Sequence, residues 1–250
     1  PSFFTAEAVD EACASARSMA GDAYETDSTH NAFQLPGIDD TLSENHIRNL
    51  SMRTRVASTA YDELPRDGPL YQLYNADEFR KLVADVVGKK DEEFYKLADP
   101  LGACSINIFR PGWYHAWHFD ESEFTTTLCL QQSEEGGEFE FTPALRSSQE
   151  DLAAADVAAL VNKHSPYISE ACGKVSGETV PITTASFEPG TLQIFAGRYS
   201  LHHVKRIPDH CSKDRLVAVL CFADTPDSYN SKEVQEMFWG RSIQRNEEAA

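Results

Sequence analysis

The sequence predicts a mainly β protein with flanking helices, in which about eight short strands form a cupin-like jelly-roll barrel, the double-stranded β-helix. Three observations predict this fold class. Short apolar runs alternate with turn residues from about position 101 onward, a pattern that is typical of strands joined by tight turns. Apolar residues at helical spacing occur mainly before this region. A chain of 250 residues can bury one full core.

We therefore predict a single domain that spans residues 1–250 and has three parts. Residues 1–98 form a helical front, residues 99–226 form the jelly-roll core, and residues 227–250 form a C-terminal helix and tail. The front contains an amphipathic helix over residues 5–20, because its apolar side chains recur at helical spacing. These helices are expected to brace the outside of the barrel.

A second front helix is predicted to begin at Asn75, which is a favoured N-cap residue, and to end near Gly88. Within the core, Ser147 and Glu150 have the spacing of a capping box, which predicts an inserted helix over residues 152–161. The predicted strands alternate with turn signals and cover residues 103–109, 115–120, 125–131, 138–141, 181–187, 191–195, 201–206 and 216–222.

The charge balance excludes some classes of partner. The chain has 22 basic and 40 acidic residues, which gives a formal net charge of −18. Because phosphate backbones and anionic lipid surfaces attract basic faces, we expect neither a nucleic acid nor a membrane as partner. The six cysteines form no C-x-x-C motif, and no signal peptide or transmembrane run is visible. These features predict a cytoplasmic protein, and they leave its oligomeric state open.

Two histidines and one aspartate are the strongest candidates for a metal site. His118 and Asp120 are separated by Phe119, and His202 follows much later in the chain. Side chains at i and i+2 of a strand point to the same face, so we expect His118 and Asp120 to reach one metal from one strand. Two imidazoles and one carboxylate form the facial triad that holds a non-haem Fe(II) and leaves coordination positions open. His203 follows His202 directly and points to the opposite face of a strand, so the two cannot share one metal.

Arg215 is the candidate anchor for a carboxylate. It opens an apolar run that reads as a buried strand, and a buried arginine is costly unless it is paired. A planar guanidinium can bind a carboxylate through two hydrogen bonds. The distal carboxylate of 2-oxoglutarate is therefore its expected partner, and a half-solvated arginine at a strand edge is the alternative.

Four segments resemble the Fe(II)/2-oxoglutarate-dependent oxygenases. They are DPLGACSINIFRPG at 99–112, WHFD at 117–120, GGEFEF at 136–141 and PGTLQIFAGRYSLH at 189–202. The resemblance is closest to the branch that contains the free-amino-acid (lysine-type) radical halogenases and their hydroxylase relatives. It covers residues 99–226, and it selects His202 over His203 as the ligand.

This resemblance implies a dioxygenase that requires Fe(II), 2-oxoglutarate and O2, with ascorbate as a candidate reductant. His118, Asp120 and His202 are then both the metal ligands and the catalytic centre. The halogenases of this branch have a small residue, usually glycine, at the position of Asp120, and that vacancy admits chloride. Since Asp120 fills it, the resemblance implies hydroxylation of a C–H bond, most directly in a free amino acid. Oxidative desaturation or cyclisation of an amino-acid-derived product would use the same residues.

Five further residues are weaker candidates. Asn107 lies on the strand that the resemblance assigns to keto-acid binding, and His115 precedes the first metal ligand. Glu121 is a candidate partner for a substrate amine, and Arg55 is one for a substrate carboxylate. Trp239 is a candidate for a C-terminal lid over the pocket. Each of these residues also has a purely structural reading, as part of a loop, the surface or the core.

Two readings from other classes remain open at this stage. A non-catalytic jelly-roll that binds a ligand would share the predicted fold, and a zinc hydrolase can use the same two imidazoles and carboxylate. Neither reading needs oxygen, and the hydrolase has no need of Arg215. Oxygen consumption and succinate formation therefore separate them from an oxygenase.

Overall fold

Two antiparallel sheets face each other in the computed structural model, which describes residues 4–164 and 180–244. The strands are β1 Tyr24–His30, β2 Met52–Thr59, β3 Tyr95–Lys96, β4 Cys104–Phe109, β5 His115–His118, β6 Phe124–Gln131, β7 Phe139–Ala144, β8 Thr183–Thr184, β9 Leu192–Phe195, β10 Ser200–Val204 and β11 Arg215–Ala223. The helices are α1 Ala6–Met19, α2 Pro69–Asn75, α3 Asp77–Val87, α4 Ala154–His164 and α5 Lys232–Trp239. Within the described residues this arrangement confirms the predicted class, a mainly β jelly-roll with flanking helices.

The larger sheet has seven strands in the order β1-β2-β4-β11-β6-β9, with β3 paired to β11 off this path. The smaller sheet has four strands in the order β5-β10-β7-β8. Neighbouring strands in each sheet are often distant in sequence, as the crossing connections of a jelly-roll require. A cavity of about 110 Å³ lies between the two sheets.

The position of strand β11 in the fold explains why its sequence is an almost continuous apolar run. It lies in the middle of the larger sheet, between β4 and β6, and is buried along nearly its whole length. Alternate side chains point to opposite faces of a strand. Leu216, Ala218 and Leu220 pack into the core under the front helices, whereas Val217 and Val219 line the cavity between the sheets. Both faces of β11 are therefore buried, and a period-two polar pattern is absent.

The front helices pack on the outer face of the larger sheet. Helix α1 begins after Thr5, whose side chain accepts a hydrogen bond from the backbone N–H of Ala8. This confirms the helix predicted over residues 5–20. Helix α3 ends at Gly88, whose φ of 72° is the left-handed conformation that favours glycine at this position. The predicted end at Gly88 is therefore confirmed as well.

Two local predictions in the helical regions are wrong. Asn75 is the last residue of α2 and does not cap α3, because Pro69 starts a separate short helix and Ala76 is the N-cap of α3. Ser147 and Glu150 do not form a capping box before α4. Instead, the Asp151 carboxylate accepts hydrogen bonds from the backbone N–H groups of Ser147 and Ala153.

The front is not only helical, which corrects the description of residues 1–98. Strands β1 and β2 belong to this segment, and they extend the larger sheet beyond β4. Strand β1, with the sequence YETDSTH, lies at the edge of the sheet and buries only two of its side chains. Hydrophobic periodicity therefore gives little signal for it. None of the described helices has the length and apolar character needed to cross a membrane.

Candidate metal centre

Two buried histidines meet across the smaller sheet. His118 is the last residue of β5, and its Cα is the register partner of His202 in the antiparallel strand β10. The side chains are 6% and 3% exposed, and their ring centroids lie 4.2 Å apart. Cross-strand partners project to the same face of a sheet, so the strand pairing itself brings the two imidazoles together.

Asp120 joins this pair from a loop and not from the strand. Because β5 ends at His118, the expectation that both ligands lie on one strand is wrong. The backbone N–H of Asp120 donates to the carbonyl of Gly197 at 3.0 Å. Its Oδ1 atom lies 3.5 Å from His118 Nε2 and 3.3 Å from His202 Nε2. One ligand atom from each of the three residues lies within 4.8 Å of the others.

Both imidazoles are held with the same nitrogen toward the centre. His118 Nδ1 lies 2.8 Å from the carbonyl of Ala116, and His202 Nδ1 lies 2.8 Å from the carbonyl of Ser200. A carbonyl can only accept, so each Nδ1 carries the proton and each Nε2 keeps its lone pair. Metal-bound histidines are usually fixed in this way through the other ring nitrogen. The donor set therefore fits a divalent metal ion.

The charge of the cluster also favours a cation. Burial lowers the pKa of His118, and the neighbouring His202 lowers it further. Burial alone would raise the pKa of Asp120, but His202 and His118 hold it well below its ordinary value. The centre therefore holds an ionised carboxylate at neutral pH. A largely buried negative charge of this kind would be stabilised by a bound metal.

Arg215 lines the same cavity as the three candidate ligands. It is the first residue of β11 and is 3% exposed. Its Nη1 atom is buried without a hydrogen-bond partner among the described residues, and its guanidinium lies 5.3 Å from the ring of Phe109 and 5.1 Å from that of Phe187. Burial lowers its pKa to about 10, so it stays charged at neutral pH. An unpaired buried cation is destabilising, so Arg215 is a candidate partner for an anion in the cavity.

Four of the weaker candidates also line the cavity: Asn107, His115, Glu121 and Trp239. The Asn107 Oδ1 atom accepts a hydrogen bond of 3.0 Å from the Ser58 hydroxyl. His115 stacks on His118 with a centroid distance of 3.7 Å, and its Nε2 has no partner in the described part of the chain. The same holds for the buried indole nitrogen of Trp239. Glu121 Oε2 accepts a hydrogen bond of 2.6 Å from the backbone of Ser231.

Arg55 is not brought to this cavity. It lies on β2, where its guanidinium is 3.3 Å from the carboxylate of Asp27 and 4.9 Å from the ring centroid of Trp113. Its side chain is 36% exposed. Arg55 therefore does not line the cavity that the other candidates share.

Sequence patterns did not point to Gln34 or Asn230, which also line the cavity. Gln34 is 4% exposed and has a φ of 58°, which is uncommon for a residue other than glycine. Its Nε2 donates to the carbonyl of Phe119 at 2.9 Å. Both residues lie in loops, where neither hydrophobic periodicity nor a short motif marks a site.

Comparison with known proteins identifies this fold in several solved structures. No family profile matches the sequence, and no curated protein matches it. The epimerase SnoN in complex with Fe3+, alpha ketoglutarate and nogalamycin RO superposes with a TM-score of 0.55 at 14% identity, over 90% of this chain and 77% of that one. The non-heme alpha ketoglutarate dependent carbocyclase SnoK from nogalamycin biosynthesis gives a TM-score of 0.54 at 11% identity, over 98% and 87%. AviO1 from Streptomyces viridochromogenes Tue57 gives 0.52 at 14% identity, over 89% and 86%. At these identities the likeness shows a shared fold.

Proposed function

We propose that the protein is an Fe(II)- and 2-oxoglutarate-dependent oxygenase that oxidises an unactivated C–H bond of a small molecule, with O2 as co-substrate. One observation carries this proposal. The cavity between the sheets is lined both by a His, Asp, His cluster and by the unpaired, buried Arg215. The first is the donor set of a non-haem iron with open positions, and the second is a partner for the carboxylate of a keto acid. The shared fold with alpha-ketoglutarate enzymes supports it.

His118, Asp120 and His202 would hold Fe(II). When bound, Fe(II) would supply the activation of O2. O2 is the oxidant, and 2-oxoglutarate and the substrate would each supply two electrons, the keto acid leaving as succinate and CO2. Arg215 would bind the distal carboxylate of 2-oxoglutarate and so orient the keto end toward the three ligands. Positioning of this kind is the contribution that a protein makes to cofactor chemistry.

Other residues of the cavity would shape the co-substrate pocket. The apolar side chains of Val217 and Val219 line it and keep water from that wall. Asn107 would contribute a polar contact on the neighbouring strand β4. A largely apolar pocket with a few directed polar groups is typical of small-molecule sites.

For the substrate, we propose a free amino acid or a related amine, with hydroxylation as the reaction. Glu121 would accept hydrogen bonds from the amine, and His115 and Trp239 would add contacts with their unpaired ring nitrogens. Among the described residues that line the cavity, Arg215 is the only lysine or arginine. Because Arg55 lies outside the cavity and Arg215 is assigned to 2-oxoglutarate, a substrate carboxylate would have to bind uncharged hydrogen-bond donors. Desaturation or cyclisation of an amino-acid-derived product uses the same iron site and is the second outcome to test.

A coupled assay tests the proposed function against the two other classes. The protein is incubated with Fe(II), 2-oxoglutarate, ascorbate and pools of free amino acids, while oxygen uptake and succinate are measured and products are screened by mass. Oxygen-dependent succinate together with a mass gain of one oxygen atom supports hydroxylation, and a loss of two hydrogens supports desaturation or cyclisation. Hydrolysis products without oxygen uptake would favour the zinc hydrolase. The absence of any turnover would favour a non-catalytic binding protein.

The unmodified protein is expected to form no chlorinated product, even at high chloride concentration. Asp120 occupies the ligand position that a halide would need, and its negative charge opposes the binding of a second anion. Asp120→Gly should open that position, so that azide or chloride perturbs the absorption spectrum of the iron-loaded variant. Mass spectrometry of the products and anion titrations of both proteins check these outcomes.

The matched control is Asp209→Gly, which removes an exposed carboxylate that pairs with Arg206. This variant should respond to azide as the unmodified protein does. Detection of a chlorinated product from the unmodified protein would overturn the assignment of Asp120 as a metal ligand.

A further inference from the structure

The position of Asp120 raises the question of what holds its carboxylate in place. The two histidines are fixed by strand pairing and by backbone carbonyls, but Asp120 lies beyond the end of β5. A loop aspartate can rotate, and a carboxylate can offer a metal either one oxygen or two. Oδ1 is the oxygen in closest contact with both imidazole nitrogens. The contacts of Oδ2 therefore determine whether Asp120 would coordinate a metal through one oxygen or two.

Thr125 is the neighbour that occupies this other oxygen. Its hydroxyl donates to Asp120 Oδ2 at 2.6 Å. Thr125 Oγ1 also lies 3.1 Å from the hydroxyl of Ser122. A hydroxyl has a single proton, and the carboxylate can only accept, so Ser122 must be the donor to Thr125. The three groups form a directed chain in which the hydroxyl of Thr125 is oriented toward Asp120.

Gly197 leaves space beside the same oxygen, Oδ2. A Cβ atom at this position would lie 2.7 Å from Asp120 Cγ and closer still to Oδ2. Its φ is not in the left-handed region, so backbone conformation does not require glycine here. The carbonyl of Gly197 also accepts the N–H of Asp120. Any larger residue would push the carboxylate out of the place where it now lies.

We propose that Thr125 and Gly197 are the positioning residues of the metal centre, and that they fix Asp120 so that Oδ1 alone is offered to the metal. Thr125 engages Oδ2 by a hydrogen bond, and Gly197 leaves room for the carboxylate in this one orientation. This inference rests on the metal site of the proposed function, but it does not depend on 2-oxoglutarate chemistry. Partners of this kind typically change metal affinity about 10–100-fold when they are lost.

The test measures metal binding directly, with Co(II) as the probe. Thr125→Val removes the hydroxyl at nearly constant volume, Gly197→Ala adds the obstructing methyl group, and Thr125→Ser restores a hydroxyl. The matched control is Thr126→Val, because Thr126 lies on the opposite face of β6, is fully buried and makes no hydrogen bond through its hydroxyl within the described residues. Calorimetric titration gives the affinity of each protein, and the visible absorption of Co(II) reports its coordination.

Thr125→Val and Gly197→Ala are expected to bind Co(II) about 10–100-fold more weakly and with an altered absorption spectrum. Thr125→Ser should restore both properties, and Thr126→Val should leave both unchanged. A purely structural role would lower the thermal stability of Thr125→Val without changing the spectrum of the bound ion. Thr126→Val should not lose stability, because the hydroxyl that it removes has no partner within the described residues. If Gly197→Ala does not fold, the comparison of the valine and serine variants at position 125 decides the matter.

Wild-type affinity and an unchanged spectrum in a folded Thr125→Val variant would overturn the proposal. Failure of the unmodified protein to bind Co(II) would overturn it together with the metal site. If the unmodified protein binds Co(II) but converts no 2-oxoglutarate, the proposed activity fails, while the affinities of the variants still support or refute the role of Thr125 and Gly197.

Discussion

His202→Ala is expected to abolish metal binding and with it the conversion of 2-oxoglutarate, whereas His203→Ala should leave both nearly intact. His202 Nε2 faces Asp120 Oδ1 at 3.3 Å, and its removal leaves only two protein ligands. The loss of affinity should exceed the ~100-fold upper range for residues that merely support a ligand. His118→Ala and Asp120→Ala should have the same effect. Titration with Fe(II) without oxygen and a succinate assay measure the two properties.

His203 is a matched control because it follows His202 directly and points to the other face of β10. Its ring stacks on Trp117 with a centroid distance of 3.9 Å, and its Nε2 lies 2.8 Å from a carboxylate oxygen of Glu140. Its loss should lower stability only modestly, as expected for one side chain in a partly exposed polar contact. Normal turnover in His202→Ala with an inactive His203→Ala would reassign the third ligand.

Arg215→Ala is expected to weaken 2-oxoglutarate binding by about 30-fold to several thousand-fold. Removal of one partner of a buried, hydrogen-bonded charge pair costs about 2–5 kcal/mol, since the other charge is left without compensation. The site offers no substitute cation, because no other lysine or arginine of the described residues lines the cavity. The Michaelis constant for 2-oxoglutarate, together with direct titration of the Fe(II)-loaded protein, gives the effect. Fe(II) affinity itself should change little.

The control for this prediction is Arg206→Ala, which removes an exposed guanidinium that is paired with Asp209. Its Michaelis constant should equal that of the unmodified protein. An unchanged constant in Arg215→Ala would move the carboxylate anchor elsewhere, with Arg198 as the next candidate. Arg198 already donates two hydrogen bonds to the carbonyl of Glu121.

The parts of this site that could be predicted from sequence are those with a residue-level signature. Such signatures can be recognised in the sequence alone. They are the spacing of His118 and Asp120, the later His202, and the charged Arg215 at the start of an apolar run. The jelly-roll was likewise visible as a succession of short strands, because buried strands and tight turns leave strong local patterns.

Other features depend on tertiary contacts that no local pattern records. Strand β1 is a mostly polar edge strand that forms because β2 pairs with it. Asp120 leaves the strand of His118, and its place is set by Gly197 and Thr125, which are distant or unremarkable in sequence. Arg55 looked like a candidate for carboxylate binding, yet Asp27 and Trp113 hold it at the surface of β2. In each case the position of the residue depends on a tertiary contact with another part of the chain.

Oxygen-isotope labelling of succinate tests the central claim most directly. The protein is incubated with Fe(II), 2-oxoglutarate, ascorbate and 18O2, and the succinate is analysed by mass spectrometry, with Asp120→Ala as the inactive control. Oxidative decarboxylation of a keto acid by O2 places one oxygen atom of O2 in the new carboxylate of succinate, and one CO2 leaves. The other oxygen atom is reduced to water by ascorbate when no substrate takes it. The account predicts succinate that carries a single 18O atom from the unmodified protein and none from the control. Unlabelled succinate, equal labelling in Asp120→Ala, or no succinate at all would contradict it.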